Sequence, residues 1–283
     1  MKATNLMPTS LEEILFKVEI KENPRATNNE YSKVVTGIID NKEIDLNYCS
    51  PKYTLVPNSK IFPSIRQILL DKGINFSETY SHIDNARFYG SYILHDDKFI
   101  HRVNGSNDMI KPIINIQHSY NGKTNYKIQF GYFRLVCSNG LVIPVEEMKE
   151  YNLSIVGKHT ESILNSIEKL NTTLIHFVNN ADQIKLAITA KYDTLAGNWV
   201  RNWEDRIEEV LNTNKISIVE GVKNTLAHIK GTVNKEKYLY NNQVNDWLIY
   251  NAINRYIYDD SINIKTPELR ADLDSKVFES MLS

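Results

Sequence analysis

Asn121-Gly122 lies between two runs of strand-forming residues, 113–120 and 126–136, and constrains the fold more than any other part of the chain. Such a pair flanked by alternating apolar residues signals a β-hairpin, because both residues tolerate positive φ. Register then follows from side-chain alternation, since a one-residue slip turns every side chain to the other face. A two-residue turn sets Ile116 opposite Lys127 and Ile114 opposite Gln129, mixing apolar and polar positions. Shifting by one sets Ile116 opposite Ile128 and Ile114 opposite Phe130, giving one apolar face. The pattern therefore predicts a three-residue loop or a bulge.

Around this hairpin, 34–39, 53–56, 87–94 and 99–103 read as strands from their β-branched and aromatic content. Thr9-Ser10-Leu11-Glu12-Glu13 has the capping and acidic residues of a helix start, predicting a helix over 9–21. Phe62, Ile65, Ile68 and Leu69 share a helical face, Pro63 suits a first turn and Gly73 a stop, so 62–72 reads as a helix. Beyond Pro144 the period changes. Ile163, Ile167, Leu170, Leu174 and Phe177 form an amphipathic seam, and helical patterns continue over 181–192, 198–213, 215–230 and 243–258. Breaks are expected at 193–197 and 231–234. The fold class is α+β: a mainly antiparallel β-meander with a packed helix, followed by a C-terminal helical layer. We expect a β-rich α+β core over 1–150 and a helical region over 151–283 packing on it.

The chain has 283 residues, 42% hydrophobic and 24% charged, enough for a sizeable core. A formal net charge of −1 advertises no polyanionic partner by itself. Locally the balance differs, with seven basic and four acidic residues over 84–134. The two cysteines, Cys49 and Cys137, are too few for a disulfide scaffold, so a reducing cytoplasm is expected. No signal-peptide pattern begins the chain, and no apolar run reaches the length of a membrane span.

No Gly-x-x-x-x-Gly-Lys-Ser/Thr loop, Gly-x-Gly-x-x-Gly fingerprint or Gly-x-Ser-x-Gly elbow occurs. Cys137 with His118 or His159 has the residue types of a thiol nucleophile and base, but a strand cysteine between Val136 and Ser138 also reads as a small buried residue. His95-Asp96-Asp97 has groups for a cation, yet equally reads as a charged turn, and no metal or cofactor is expected. Arg134, between Phe133 and Leu135, has to meet either a structural carboxylate or an anionic ligand. Aromatic and basic residues interleave over 87–92 and 125–134, the combination with which single-strand binders follow a backbone and stack on bases.

Several elements together resemble a known family. They are Tyr53-Thr-Leu-Val-Pro-Asn58, His118-Ser-Tyr-Asn-Gly122, Phe133-Arg-Leu-Val-Cys-Ser-Asn-Gly-Leu141, His159-Thr160 and Asp246-Trp-Leu-Ile-Tyr-Asn-Ala-Ile-Asn-Arg-Tyr256. Over 34–258 the chain resembles the phage/plasmid-like proteins grouped as domain-of-unknown-function family 932, with Ser138 and Asn254 standing where threonine is expected. Matched positions are Ser119, Gly122, Arg134, Cys137, Asn139, Gly140, His159, Trp247, Asn251 and Ala252. Trp247 and Asn251, four apart on one helix face, are placed to anchor that helix on the sheet. The resemblance implies a phage or mobile-element origin and no assigned activity.

The expectation for function is a phage-encoded accessory protein of DNA metabolism in the host cytoplasm. Its expected act is non-catalytic binding of single-stranded DNA, with annealing within an oligomer, by fold-level analogy to phage single-strand-annealing proteins. Arg87, Arg102, Lys127 and Arg134 are expected to meet phosphates, and Tyr89 and Tyr132 to stack on bases. The alternative is a virion-associated or host-interaction protein that binds other proteins and no nucleic acid.

Overall fold

The computed structural model describes residues 7–134, 154–157, 162–217, 224–259 and 267–283. In chain order, β1 (Met7–Thr9) leads into the one-turn helix α1 (Leu11–Ile14), then β2 (Val18–Glu22), β3 (Lys33–Ile39) and β4 (Lys42–Cys49). Helix α2 (Asn58–Asp71) precedes β5 (Phe76–Ile83), β6 (Arg87–Leu94), the short β7 (His101–Arg102), β8 (Met109–Ser119), β9 (Tyr126–Arg134) and β10 (Ser154–Gly157). Helices follow: α3 (Ser162–Asn179), α4 (Ala181–Gly197), α5 (Trp203–Thr213), α6 (Thr225–Glu236), α7 (Asp246–Tyr258) and α8 (Pro267–Leu282). The class is α+β, with β10 crossing the expected boundary at 150 to join the sheet.

The β8–β9 hairpin sets Ile116 opposite Ile128 and Ile114 opposite Phe130, as one buried face demands. Its connection is wider than three residues, because the Ser119 hydroxyl replaces the last rung. Ser119 Oγ donates to Thr124 O at 2.8 Å and accepts from Thr124 N at 3.2 Å. Gly122 at φ +66° turns the chain. The main sheet runs β1-β5-β6-β8-β9-β10, all antiparallel, with β7 pairing the start of β8 beyond the end of β6. A second antiparallel sheet, β2-β3-β4, joins it through Phe16, whose ring meets Phe88 and Tyr120 at 5.9 Å each.

Helices cover one face of the main sheet, and several contribute rings to the contact. Phe62 on α2 packs edge-on to Tyr80, and Tyr92 OH donates to its carbonyl at 3.0 Å. Phe177 on α3 meets Phe99 and Phe130, while Tyr192 on α4 meets Tyr132, Trp247 of α7 and Phe278 of α8. One hydrophobic cluster thus runs unbroken from strands to helices. Helix α2 ends as its sequence requires: Gly73 N and Ile74 N donate to Leu70 O and Leu69 O, with Gly73 at φ +63°. It begins a turn earlier than expected, so Pro63 lies inside it, where its ring nitrogen has no hydrogen for an i−4 carbonyl.

Other expectations need correction. Residues 9–21 form a single turn, because the Ser10–Glu13 capping box starts α1 but Val18 and Ile20 alternate with charges and pair with β3 instead. Residues 53–56 form no strand, Pro51 and Pro57 having no N–H to donate to a ladder. In 99–103 only His101–Arg102 pairs, between two 3₁₀ turns. Helices α4 and α6 continue through the expected breaks at 193–197 and 231–234; an interior glycine costs about 1 kcal/mol, which packing offsets. Strands β4 and β5 and helix α8 had no counterpart among the expected elements. Cys137, the turn expected at 138–140 and His159 lie outside the described residues.

A Cβ on Gly90 falls 2.8 Å from the Phe62 ring, so Gly90→Val is expected to destabilise by about 1–3 kcal/mol in urea unfolding. An unchanged midpoint removes the claim that α2 seats on bare backbone there. Fully buried Asp274 on α8 accepts at Oδ1 from Tyr250 OH (2.9 Å) and Asn254 Nδ2 (2.8 Å), both on α7, whereas Oδ2 has no partner among the described residues. Burial pushes its carboxyl up to about 7 against the ordinary 3.8, with the two donors pulling the other way. A folded value above the unfolded one makes this contribution fullest below about pH 4, where the acid is neutral in both states. It is lost as pH rises through about 7 and the folded carboxyl ionises. Asp274→Asn is expected to raise the melting temperature at about pH 8 and leave it nearly unchanged at about pH 4. A lower value than wild type at the higher pH contradicts the buried-acid account.

Candidate nucleic-acid interface

Alternation divides the six expected contact residues between the two faces of the sheet. Tyr89, Gln117 and Lys127 are directly opposite one another across β6, β8 and β9, and Arg87 opposite Ser119 occupies the next position along the same face. Arg102 pairs with Met109, which has the same parity along β8, and so joins them. We call this the outer face. Tyr132 and Arg134 have the other parity and lie on the inner face, against the helices.

The outer face has an unusual composition. Across β5, β6, β8 and β9 it presents Ser77, Thr79, Ser81, Arg87, Tyr89, Ser91, Lys111, Asn115, Gln117, Lys127 and Gln129 among apolar residues, and no acid. Ser77 and Thr79 at the β5 side are exposed, Tyr89 and Lys127 are half-buried, and Gln129 and Ile113 are buried. Its cations lie at both ends, Arg87 and Lys127 at one and Lys111 and Arg102 at the other. The residues of β8 that mark those ends, Gln117 and Met109, are about 27 Å apart at roughly 3.4 Å per residue. Arg87 is only 9% exposed, yet neither it nor Lys111 nor Arg102 has a carboxylate within ion-pair distance among the described residues. Elsewhere Lys21, Lys33, Arg66, Arg206 and Lys230 are all paired with acids.

Arg134 and Tyr132 require correction. Arg134 has no exposed surface. Its Nε donates to Asp108 Oδ1 and Oδ2 at 2.9 and 2.8 Å, its Nη2 to Asp108 Oδ2 at 2.5 Å, and its Nη1 to Glu236 Oε2. Asp108, equally buried, also accepts from Trp247 Nε1 at 2.9 Å and Tyr240 OH at 3.4 Å. The guanidinium lies 5.9 Å from the Trp247 ring, and Arg255 Nη1 lies 3.6 Å from Glu236 Oε1. Of the two readings of Arg134, the structural ion pair is the one present. Tyr132 is packed edge-on to Tyr192, and burial pushes its phenol well above the ordinary range. Neither residue is accessible to a polymer in this fold.

Trp247 anchors its helix as expected, through the Asp108 bond, whereas Asn251 Nδ2 donates only to Trp247 O within the helix. Lys111 was not among the expected contacts, although it alternates with Ile110 and Pro112 along β8 and the period of two places it on the outer face. Among the described residues no group of three metal-ligating side chains converges, and no helix is long and apolar enough to cross a membrane.

Removing the Arg134 guanidinium leaves buried Asp108 without its cation and takes one from Glu236, so Arg134→Met is expected to cost about 3–5 kcal/mol in urea unfolding. Arg134→Lys, lacking the planar fork, is expected to recover only part of this. A wild-type midpoint for Arg134→Met removes the structural role.

No curated protein and no solved structure gives a significant match to the chain. One family model does match, over residues 45–262 and therefore most of the length. Strands β5 to β10 of the main sheet, the Arg134 cluster and the α7 anchor fall within that span, and the chain belongs to the family described as domain of unknown function 932, DUF932.

Proposed function

We propose that this protein binds single-stranded DNA without catalysis, through the outer face of its main sheet, as an accessory protein of DNA metabolism. The observation that carries this reading is a sheet face without acids whose cations Arg87, Lys111 and Arg102 have no carboxylate partner among the described residues. A cation in a half-dry site without a counter-charge favours an anion there. Tyr89, in line with Gln117 and Lys127, supplies a ring on which a base stacks while cations follow the backbone. A polymer of regularly spaced negative charge fits cations at both ends of a sheet face better than a single small anion does. Annealing of complementary strands, with several copies side by side, follows if the face leaves base edges open. The resemblance to phage/plasmid-like proteins supports an origin in a phage or mobile element, which sets this act in the host cytoplasm.

The competing reading, a virion-associated or host-interaction protein, is favoured by Trp199 and Tyr238, which are 51% and 63% exposed on the helical side. Salt separates the two. Fluorescence anisotropy with a thymidine oligonucleotide is expected to show binding that weakens steeply as salt rises, through counterion release. Tyr89→Ala is expected to lose about 1–3 kcal/mol of binding, the worth of one stacked base. Lys127→Gln is expected to weaken binding and reduce the salt slope by about 0.7. Absence of binding at low salt removes the proposal and leaves the protein-binding reading.

A further inference from the structure

At the end of the outer face opposite Lys127, three side chains form a continuous chain. Lys111 Nζ lies 3.0 Å from His95 Nδ1, and His95 Nε2 lies 3.0 Å from Ser77 Oγ. They come from β8, the residue after β6 and β5, adjacent segments of the sheet. The residue types invite a nucleophile reading, with serine, imidazole and a third polar group in line. Proton positions exclude it. An ammonium can only donate, so Nδ1 of His95 accepts from Lys111, which makes the neutral imidazole the Nε2–H tautomer. Nε2–H then donates to Ser77 Oγ, and an imidazole that donates to a hydroxyl cannot take its proton. A cation at His95-Asp96-Asp97 is disfavoured for a related reason, because the Lys111 ammonium already occupies the imidazole and Asp96 is engaged by Asn75 Nδ2 at 2.8 Å.

What remains is a set of donors without an anion. Lys111 has N–H groups left beyond the one given to His95, and Ser77, accepting from His95, keeps its own O–H to donate outward. Ser77 is exposed, while Lys111 and His95 are half-buried. We infer that Ser77, His95 and Lys111 form a phosphate-binding cluster that holds one phosphodiester of a bound single strand. This rests on the reading of the outer face as a nucleic-acid interface and assigns it a particular contact. Phe133, directly opposite Lys111 on β9, places a half-buried ring beside that contact.

The cluster carries a pH dependence. Burial and the neighbouring Lys111 ammonium push the His95 imidazole below its ordinary value, and Asp96 pulls it up in part. Ser77 from β5, Lys111 from β8 and Asp96 beside it are the groups that face this ring. His95 is therefore neutral in the free protein near neutral pH. A phosphate oxygen that draws the Lys111 ammonium off Nδ1 frees that nitrogen to take a proton, and its negative charge favours the imidazolium. The imidazolium Nδ1–H then donates to the phosphate while Nε2–H stays on Ser77. Binding takes up a proton, and affinity rises as pH falls.

The test combines anisotropy with a thymidine oligonucleotide at about pH 6 and about pH 8 with side-chain nitrogen NMR of His95 during titration with inorganic phosphate. Wild type is expected to bind the oligonucleotide several-fold more tightly at the lower pH. Lys111→Gln is expected to bind about tenfold more weakly with a salt slope reduced by about 0.7, and Lys111→Arg to retain most of the affinity. His95→Gln is expected to bind with little pH dependence, and melting curves establish that each variant is folded. Phosphate alone is expected to shift the His95 resonances. Wild-type affinity and pH dependence in Lys111→Gln overturn the cluster while the outer-face reading stands. A phosphate shift at His95 with no oligonucleotide binding overturns the polymer contact and leaves a small-anion site. Absence of both overturns cluster and interface together.

Discussion

The burial of Arg134 between Asp108 and Glu236 is the constraint on which the arrangement of this protein depends. A guanidinium with no contact to water is tolerated only when its donors are met, and here two carboxylates meet them from opposite directions. Asp108 belongs to the turn before β8, Glu236 to the end of α6, and Trp247, which also donates to Asp108, to α7. The Arg134–Asp108 pair belongs to the sheet side, and a shift of the helices relative to it breaks the bonds to Glu236 and Trp247. The apolar contacts of the inner face supply most of the driving force, but they are tolerant of sliding. The charged cluster is not, and it sets where the helical layer rests.

That arrangement assigns the two faces of the sheet to different work. Inward residues along β6, β8 and β9 are, Arg134 and His118 apart, mostly rings and branched aliphatics packed toward the helices, and outward residues mix hydroxyls, amides and cations with apolar side chains such as Ile113 and Phe133. Because successive side chains alternate, a basic-aromatic stretch such as 125–134 necessarily sends half of its members to each side. Lys127 goes out, whereas Tyr132 and Arg134 go in. On the proposed reading, the helices hold the sheet rigid from behind so that the outward cations keep a fixed spacing.

Much of this was legible in the sequence, and the limits have physical causes. The β8–β9 register was readable because only one alignment puts Ile114, Ile116, Ile128 and Phe130 on one side. The stop at Gly73 was readable because a helix end that needs positive φ favours glycine. Strand β4 was not, since Lys42, Glu43, Asp45 and Asn47 give it the polarity of a loop and its pairing comes from β3. Residues 9–21 misled because a good cap starts a helix but does not decide its length. The face of Arg134 was within reach: Ile110, Ile114 and Ile128 define the inner parity, and counting from Ile128 puts Tyr132 and Arg134 with them. The partners of Arg134 were out of reach, because Glu236 is more than a hundred residues away and no local pattern marks it. The Ser77–His95–Lys111 chain was hidden for the same reason, since it exists only once three strands align.

On the proposed reading the polymer meets the outer face of the sheet and not the helical side. Photo-cross-linking of the 283-residue chain to a thymidine oligonucleotide carrying 4-thiothymidine, mapped by mass spectrometry, tests this directly. Cross-links at Tyr89 and on peptides containing Ser77, Lys111 and Arg102, with none at Tyr132, are the predicted result. Cross-links confined to the helical side, around Trp199 and Tyr238, contradict it.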